Sequence, residues 1–164
     1  MPQITIEYMI LIPVLILQIF LFPYAVGLVM NTWVDSRRSL ALEEAASHIG
    51  SSIQQVYFSL NHTTIQAGRL DNILDIQPFI EGYAYTGNAT LRTVLDPVFD
   101  SSQVLEITLK FQGLGLSATT SVTMGGNVEW VPSTLLSNNS TQRCVTAEKY
   151  SNQTIRFYFG ASAG

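Results

Sequence analysis

The stretch from Tyr8 to Met30 reads YMILIPVLILQIFLFPYAVGLVM. It holds one amide, Gln18, and no charge; the uncharged run begins after Glu7 and ends before Asp35. At about 1.5 Å per residue, such a helix covers about 35 Å, enough for a hydrocarbon core of about 30 Å. A secretory signal has a shorter apolar core of about 7–15 residues behind a basic start. Nothing basic comes before this stretch and no A-x-A-like site follows it, so the expectation is a helix that stays with the chain. Pro13 and Pro23 each remove one helical hydrogen bond and favour a bend. In a packed bundle, neighbouring groups satisfy the carbonyls this frees.

Working outward from that segment, the helical pattern continues in a different form. Leu42, Ala46, Ile49, Ile53, Val56 and Leu60 recur at steps of four and three, a heptad-like stripe on one face. Arg37, Arg38, Glu43, Glu44, His48 and Gln54 fall on the other face, and Gly50 is a weak point in the pattern. Residues 4–60 therefore read as one nearly continuous helix about 85 Å long. It is apolar all round over 8–30 and amphipathic over 32–60. The stripe is expected to pack under the chain's own globular domain, and the apolar segment to need another partner.

The texture changes after Asn61, where short apolar runs are broken by Gly, Asn, Pro and Ser. Leu105, Ile107, Leu109 and Phe111 alternate with Glu106, Thr108, Lys110 and Gln112. That period of two marks a half-buried strand, as does the alternation through Ile155, Phe157 and Phe159. Tyr83 to Leu95, Leu116 to Met124, Val128 to Val131 and Arg143 to Ala147 are further strand candidates. Gly125-Gly126 reads as a hairpin turn between two of them, Asn152-Gln153 as another, and Gly87-Asn88 as a break within the first run. The predicted fold class is α+β. A long hydrophobic then amphipathic helix, residues 1–62, is followed by an antiparallel β-rich, sandwich- or barrel-like head, residues 63–164.

Charged residues make up 12% of the chain and the net charge is -4. The eight basic residues are scattered, with only Arg37 and Arg38 adjacent, whereas nucleic-acid binding calls for a clustered basic patch. A nucleic-acid partner is not expected. The single cysteine, Cys144, cannot form an internal disulfide and reads as a small buried hydrophobe. Both histidines, His48 and His62, lie in or beside the long helix, away from Cys144 in sequence. No catalytic, metal-ligating or cofactor-binding constellation stands out, and the expectation is a chain that is not an enzyme.

Asn61, Asn88, Asn138, Asn139 and Asn152 each begin an N-x-[ST] sequon. Eight asparagines, in a chain with about 18% Ser and Thr, predict about one or two such matches by chance. Five occur, all beyond the helix. The expectation is an N-glycosylated surface outside the cell. Arg37 and Arg38 point the other way, since the positive-inside rule taken alone would put the head in the cytoplasm.

Glu7 sits at the edge of the apolar run, where an isolated carboxylate is costly unless paired. A free amine at Gln3 would lie about one helical turn away, and a carboxylate stabilising a helix N-terminus is the alternative reading. Gln3-Ile4-Thr5-Ile6-Glu7-Tyr8-Met9-Ile10-Leu11 resembles the Q-x-S-x-E-x-x-x-L start of archaeal type IV pilins with a class III signal peptide, with Thr5 for serine. The run from Glu7 to Pro13 is also similar to the E-[FY]-x-x-x-x-P start of TadE-type pseudopilins, and Pro13 and Pro23 are similar to prolines found in such helices. The motif match covers about 30 residues, with architectural likeness over the next 30, and says little about the head. The resemblance implies a structural subunit of an extracellular type IV pilus-like filament, a helical homo-oligomer used for surface adhesion. It also implies a membrane-embedded state before assembly, a leader cut before Gln3 by a prepilin peptidase, dedicated assembly machinery, and heads carrying N-linked glycan on the outside. Family leaders are basic and end in Gly or Ala, whereas Met1-Pro2 stand before Gln3 here. A membrane-anchored TadE-like minor pilin and an anchored surface binding protein are the alternatives.

Overall fold

Leu, Ile, Val and Ala dominate the first sixty residues and allow a helix to propagate, and α1 runs from Gln3–Leu60, 58 residues, through both Pro13 and Pro23. A computed structural model describes residues 3–94 and 102–160, with side chains described from Tyr8 onward and, in the first stretch, up to Thr93. The chain divides into two compact units, Met1–Arg37 and Arg38–Gly164. The described residues of the first are helix alone. The second holds the amphipathic part of α1 and all the strands, so the fold is α+β, a long N-terminal helix followed by antiparallel-rich sheets.

Among the described residues eight strands follow: β1 Gly68–Ile73, β2 Tyr85–Val94, β3 Ser102–Phe111, β4 Ser117–Met124, β5 Val128–Trp130, β6 Thr134–Leu136, β7 Cys144–Lys149 and β8 Ile155–Phe159. They form two four-stranded sheets, β1-β7-β8-β5 and β4-β3-β2-β6. Each is open, with two edges, so the head is not a closed barrel. All pairs are antiparallel except β5 with β8, which is parallel. The period-two pattern of β3 gives its faces: Leu105, Ile107, Leu109 and Phe111 are buried, and Val104, Glu106, Thr108 and Lys110 lie on the opposite side. In β8, Ile155, Phe157 and Phe159 are likewise buried.

One apolar core joins the helix stripe to both sheets. It includes Leu42, Ile49 and Ile53 from α1, Leu105 and Ile107 from β3, and Val145 and Phe157 from β7 and β8. At Gly50 helix and sheet approach closely. A Cβ there would sit 2.7 Å from Val122 Cγ2 and 3.7 Å from Ile107 Cδ1. What reads in the sequence as a weak point in the helix is the residue whose missing side chain lets β4 and β3 come down onto it. The end of α1 is fixed by chemistry as well as packing. Lys149 Nζ, buried on β7, donates to Leu60 O at 2.8 Å and His62 O at 3.1 Å. These carbonyls lie at and just beyond the helix end, where a cation is favoured.

Two turn expectations are corrected. Gly125-Gly126 does not close a hairpin, because β4 and β5 belong to different sheets. The chain crosses there close to Tyr57, whose hydroxyl occupies the space a Cβ on Gly125 would need. Gly87-Asn88 does not interrupt a strand either. Both pair in the middle of β2, where Gly87 makes room for Leu109 and Leu135. Asn152-Gln153 does lie in the β7–β8 turn, with Gln153 in the left-handed region at φ 68°.

Candidate functional site: the apolar helical segment and the surface of the head

In the first unit the large apolar side chains between Tyr8 and Met30 are 44% to 76% exposed. They surround the helix without a polar face. Pro13, Ile16, Leu17, Phe20, Leu21 and Tyr24, spaced three and four apart, line a shallow apolar depression of about 710 Å³ along one side. The segment is long and apolar enough to cross a membrane. Proline at 13 and at 23 leaves the carbonyls of Met9 and Ile19 without their helical N–H donors. Those two acceptors, the Gln18 amide and the hydroxyls of Tyr8 and Tyr24 are the polar features of an otherwise apolar surface. At its far end Arg37 lies over the Trp33 ring, 5.7 Å from its centre. The side chains of Gln3 and Glu7 lie outside the described residues.

The stripe of the second unit is placed differently. Leu42, Ala46, Ile49 and Ile53 are fully buried, and Val56 and Leu60 nearly so. They are core residues of the head. Arg38, at the start of this unit, pairs with Glu81 at 3.1 Å and lies over the Tyr83 ring.

The head carries a cavity of about 280 Å³ between α1 and the segment before β2. Glu44, His48 and Asp75 stand around it, with Ile76, Ile80 and Tyr85 among the lining residues. The Tyr85 hydroxyl donates to Gln77 O at 2.7 Å, and burial pushes its pKa up to about 12. It is therefore neither an acid nor a base near neutral pH. Among the described residues no group of three or more His, Cys, Asp and Glu is arranged to hold a metal ion. Cys144 is buried at the start of β7, and burial, with the Asp71 charge, raises its thiol pKa. That favours the unreactive thiol over the thiolate. Asp71 itself accepts a 2.6 Å hydrogen bond from Thr146 Oγ1 and pairs with Arg69, and these hold its carboxyl below the usual range.

The sequon asparagines are all in the second unit. Asn61, Asn88, Asn138 and Asn152 are exposed, and Asn139 is half-buried. Asn61 follows the last residue of α1, and its Oδ1 accepts from Asn127 Nδ2 at 3.0 Å. Asn88 is on the outer face of β2, between Thr108 and Thr134. Asn139 Oδ1 accepts from the N–H and hydroxyl of Thr141, and Asn152 Oδ1 from the N–H of Thr154, so both sequons sit in Asx-type turns. The sequence reading missed the roles of Gly50 and Lys149. A glycine inside a good helix pattern was the available signal for the first. A lysine in phase with Val145 and Ala147, on the face they share, was a faint one for the second.

No family model, curated protein or solved structure matches the chain.

Proposed function

We propose that this chain is a structural subunit of an archaeal type IV pilus-like filament, assembling with its own copies through the Tyr8–Met30 segment. The observation that carries the reading is the split character of α1. One half buries a narrow stripe in its own head, while the other exposes bulky apolar side chains on every side. A helix apolar all round requires surroundings on all sides, which a bundle of identical helices supplies and water does not. The resemblance of residues 3–11 to the class III pilin start points the same way, and Glu7 near the start supplies the charge such a bundle would pair. Before assembly the same segment would lie in the membrane. The heads would form the outer surface of the filament and mediate adhesion. Four exposed sequon asparagines suit an N-glycosylated exterior.

A second reading rests on the same segment, whose length and composition equally fit a permanent membrane anchor. The chain would then be a TadE-like minor component or an anchored surface binding protein. Filaments sheared from cells and purified separate the two. This chain as their main protein, beginning at Gln3 and carrying hexose-scale mass additions, supports the first reading. Its retention in the membrane fraction, with filaments built from another protein, overturns it.

A further inference from the structure

The two sheets have four edge strands, and three are protected against pairing. β1 carries the Arg69–Asp71 ion pair, 3.0 Å between Nη2 and Oδ2. β5 and β6 are three residues long, with Pro132 between them. β4 has none of these devices. Its eight residues, Ser117-Ala-Thr-Thr-Ser-Val-Thr-Met124, include no charge, no proline and no glycine. Among the described residues its backbone bonds only to β3. Free edges are templates for another strand, and natural sheets blunt them with charge, proline or shortness. A long uncharged edge is therefore a surface built to pair.

We propose that β4 pairs antiparallel with the β4 of a second copy, joining two heads into one eight-stranded sheet. The strand is self-complementary when centred on Thr120. Thr119 then stands opposite Ser121, Ser117 opposite Thr123, and Ala118 opposite Val122. Faces are preserved, because side chains alternate with a period of two. Hydroxyls meet hydroxyls on the outer face, as Thr108 and Thr119 already do across β3 and β4 at 3.0 Å. Ala and Val meet on the inner face, and no like charges are opposed. The contact is isologous, the same patch serving both copies. It rests on β4 alone and does not depend on the helix assembling.

Disulfide trapping in the full-length chain in detergent micelles tests it. A Thr119→Cys copy is mixed with a Ser121→Cys copy under mild oxidation. Directly opposite strand positions bring Cβ atoms into disulfide range, so the mixed dimer should exceed either variant's self-crosslink by about tenfold. Thr119→Cys mixed with Thr134→Cys, on the opposite edge of the sheet, should give no excess. Adding Thr123→Lys to both partners of the first mixture should lower the yield while leaving the thermal midpoint of the head unchanged. Equal yields in the two mixtures, or no excess of the mixed dimer over self-crosslinks, would overturn the proposal.

Discussion

Ile16 and Ile49 have the same side chain and lie on the same helix, yet one is 51% exposed and the other fully buried. The difference comes from what each half of α1 has on its other faces. Around Ile49 the helix is polar on the side away from the stripe, so two sheets on one side complete its environment. Around Ile16 there is no polar side to leave in water, and a one-sided partner would still strand most of the apolar surface. Hydrophobic burial is non-directional and scales with area. Pattern, not hydrophobicity, therefore decides whether a helix joins its own domain or seeks company elsewhere.

The sharpest way to break that contrast is one substitution made twice. Ile49→Asp places an unpaired carboxylate in the core. It is expected to cost about 4 kcal/mol or more and to unfold the head, seen as loss of the cooperative thermal transition. Ile16→Asp should leave the head's midpoint unchanged but shift the chain out of the membrane fraction, since a central carboxylate raises the insertion cost by about 3 kcal/mol. If Ile16→Asp melted the head, the independence of the two halves would be lost. Removing the helix cap comes next. Lys149→Met leaves the Leu60 and His62 carbonyls without their buried donor and should lower stability by about 1–3 kcal/mol by denaturant titration. The two helical glycines then sharpen the comparison through opposite signs. A methyl group added at Gly27 would meet nothing within 4 Å, so Gly27→Ala should gain up to about 1 kcal/mol of helix stability. Gly50→Ala pushes against Val122, and a head midpoint lowered by the equivalent of about 1–2 kcal/mol is expected.

The smallest effect concerns acid. The Asp71 pKa is lowered in the folded head, first by the Thr146 hydrogen bond and then by Arg69. Stability from this carboxylate is present above its unfolded pKa of about 3.9 and is lost as pH falls through the lower folded value. Thr146→Val should shrink that acid-side loss, which midpoints measured across the acid range would show.

Much of this was legible in the residues themselves. The uncharged run from Tyr8 and the 4/3 spacing from Leu42 to Leu60 gave the helix, and the alternations around Ile107 and Phe157 gave two of the strands. β1 escaped because its apolar residues, Leu70 and Ile73, do not alternate, and neither is buried in the core. β6 escaped because three residues carry no period. Gly125-Gly126 misled because a glycine pair signals freedom of the backbone without saying what needs it, here the Tyr57 hydroxyl. Sheet membership rests on long-range pairing, and the parallel β5–β8 contact leaves no local trace. The candidate surfaces follow the same division. The apolar segment is evident from composition, whereas the unguarded edge at β4 emerges only when all four edges are known.

Cys144 has a use beyond its packing. It is the chain's single thiol, and the folded head keeps it from solvent. A thiol-reactive dye added to the native protein will therefore label it only as fast as β7 opens. The wild-type sequence thus carries its own stopwatch for head unfolding, readable in turbid samples, where scattering defeats ordinary spectroscopy.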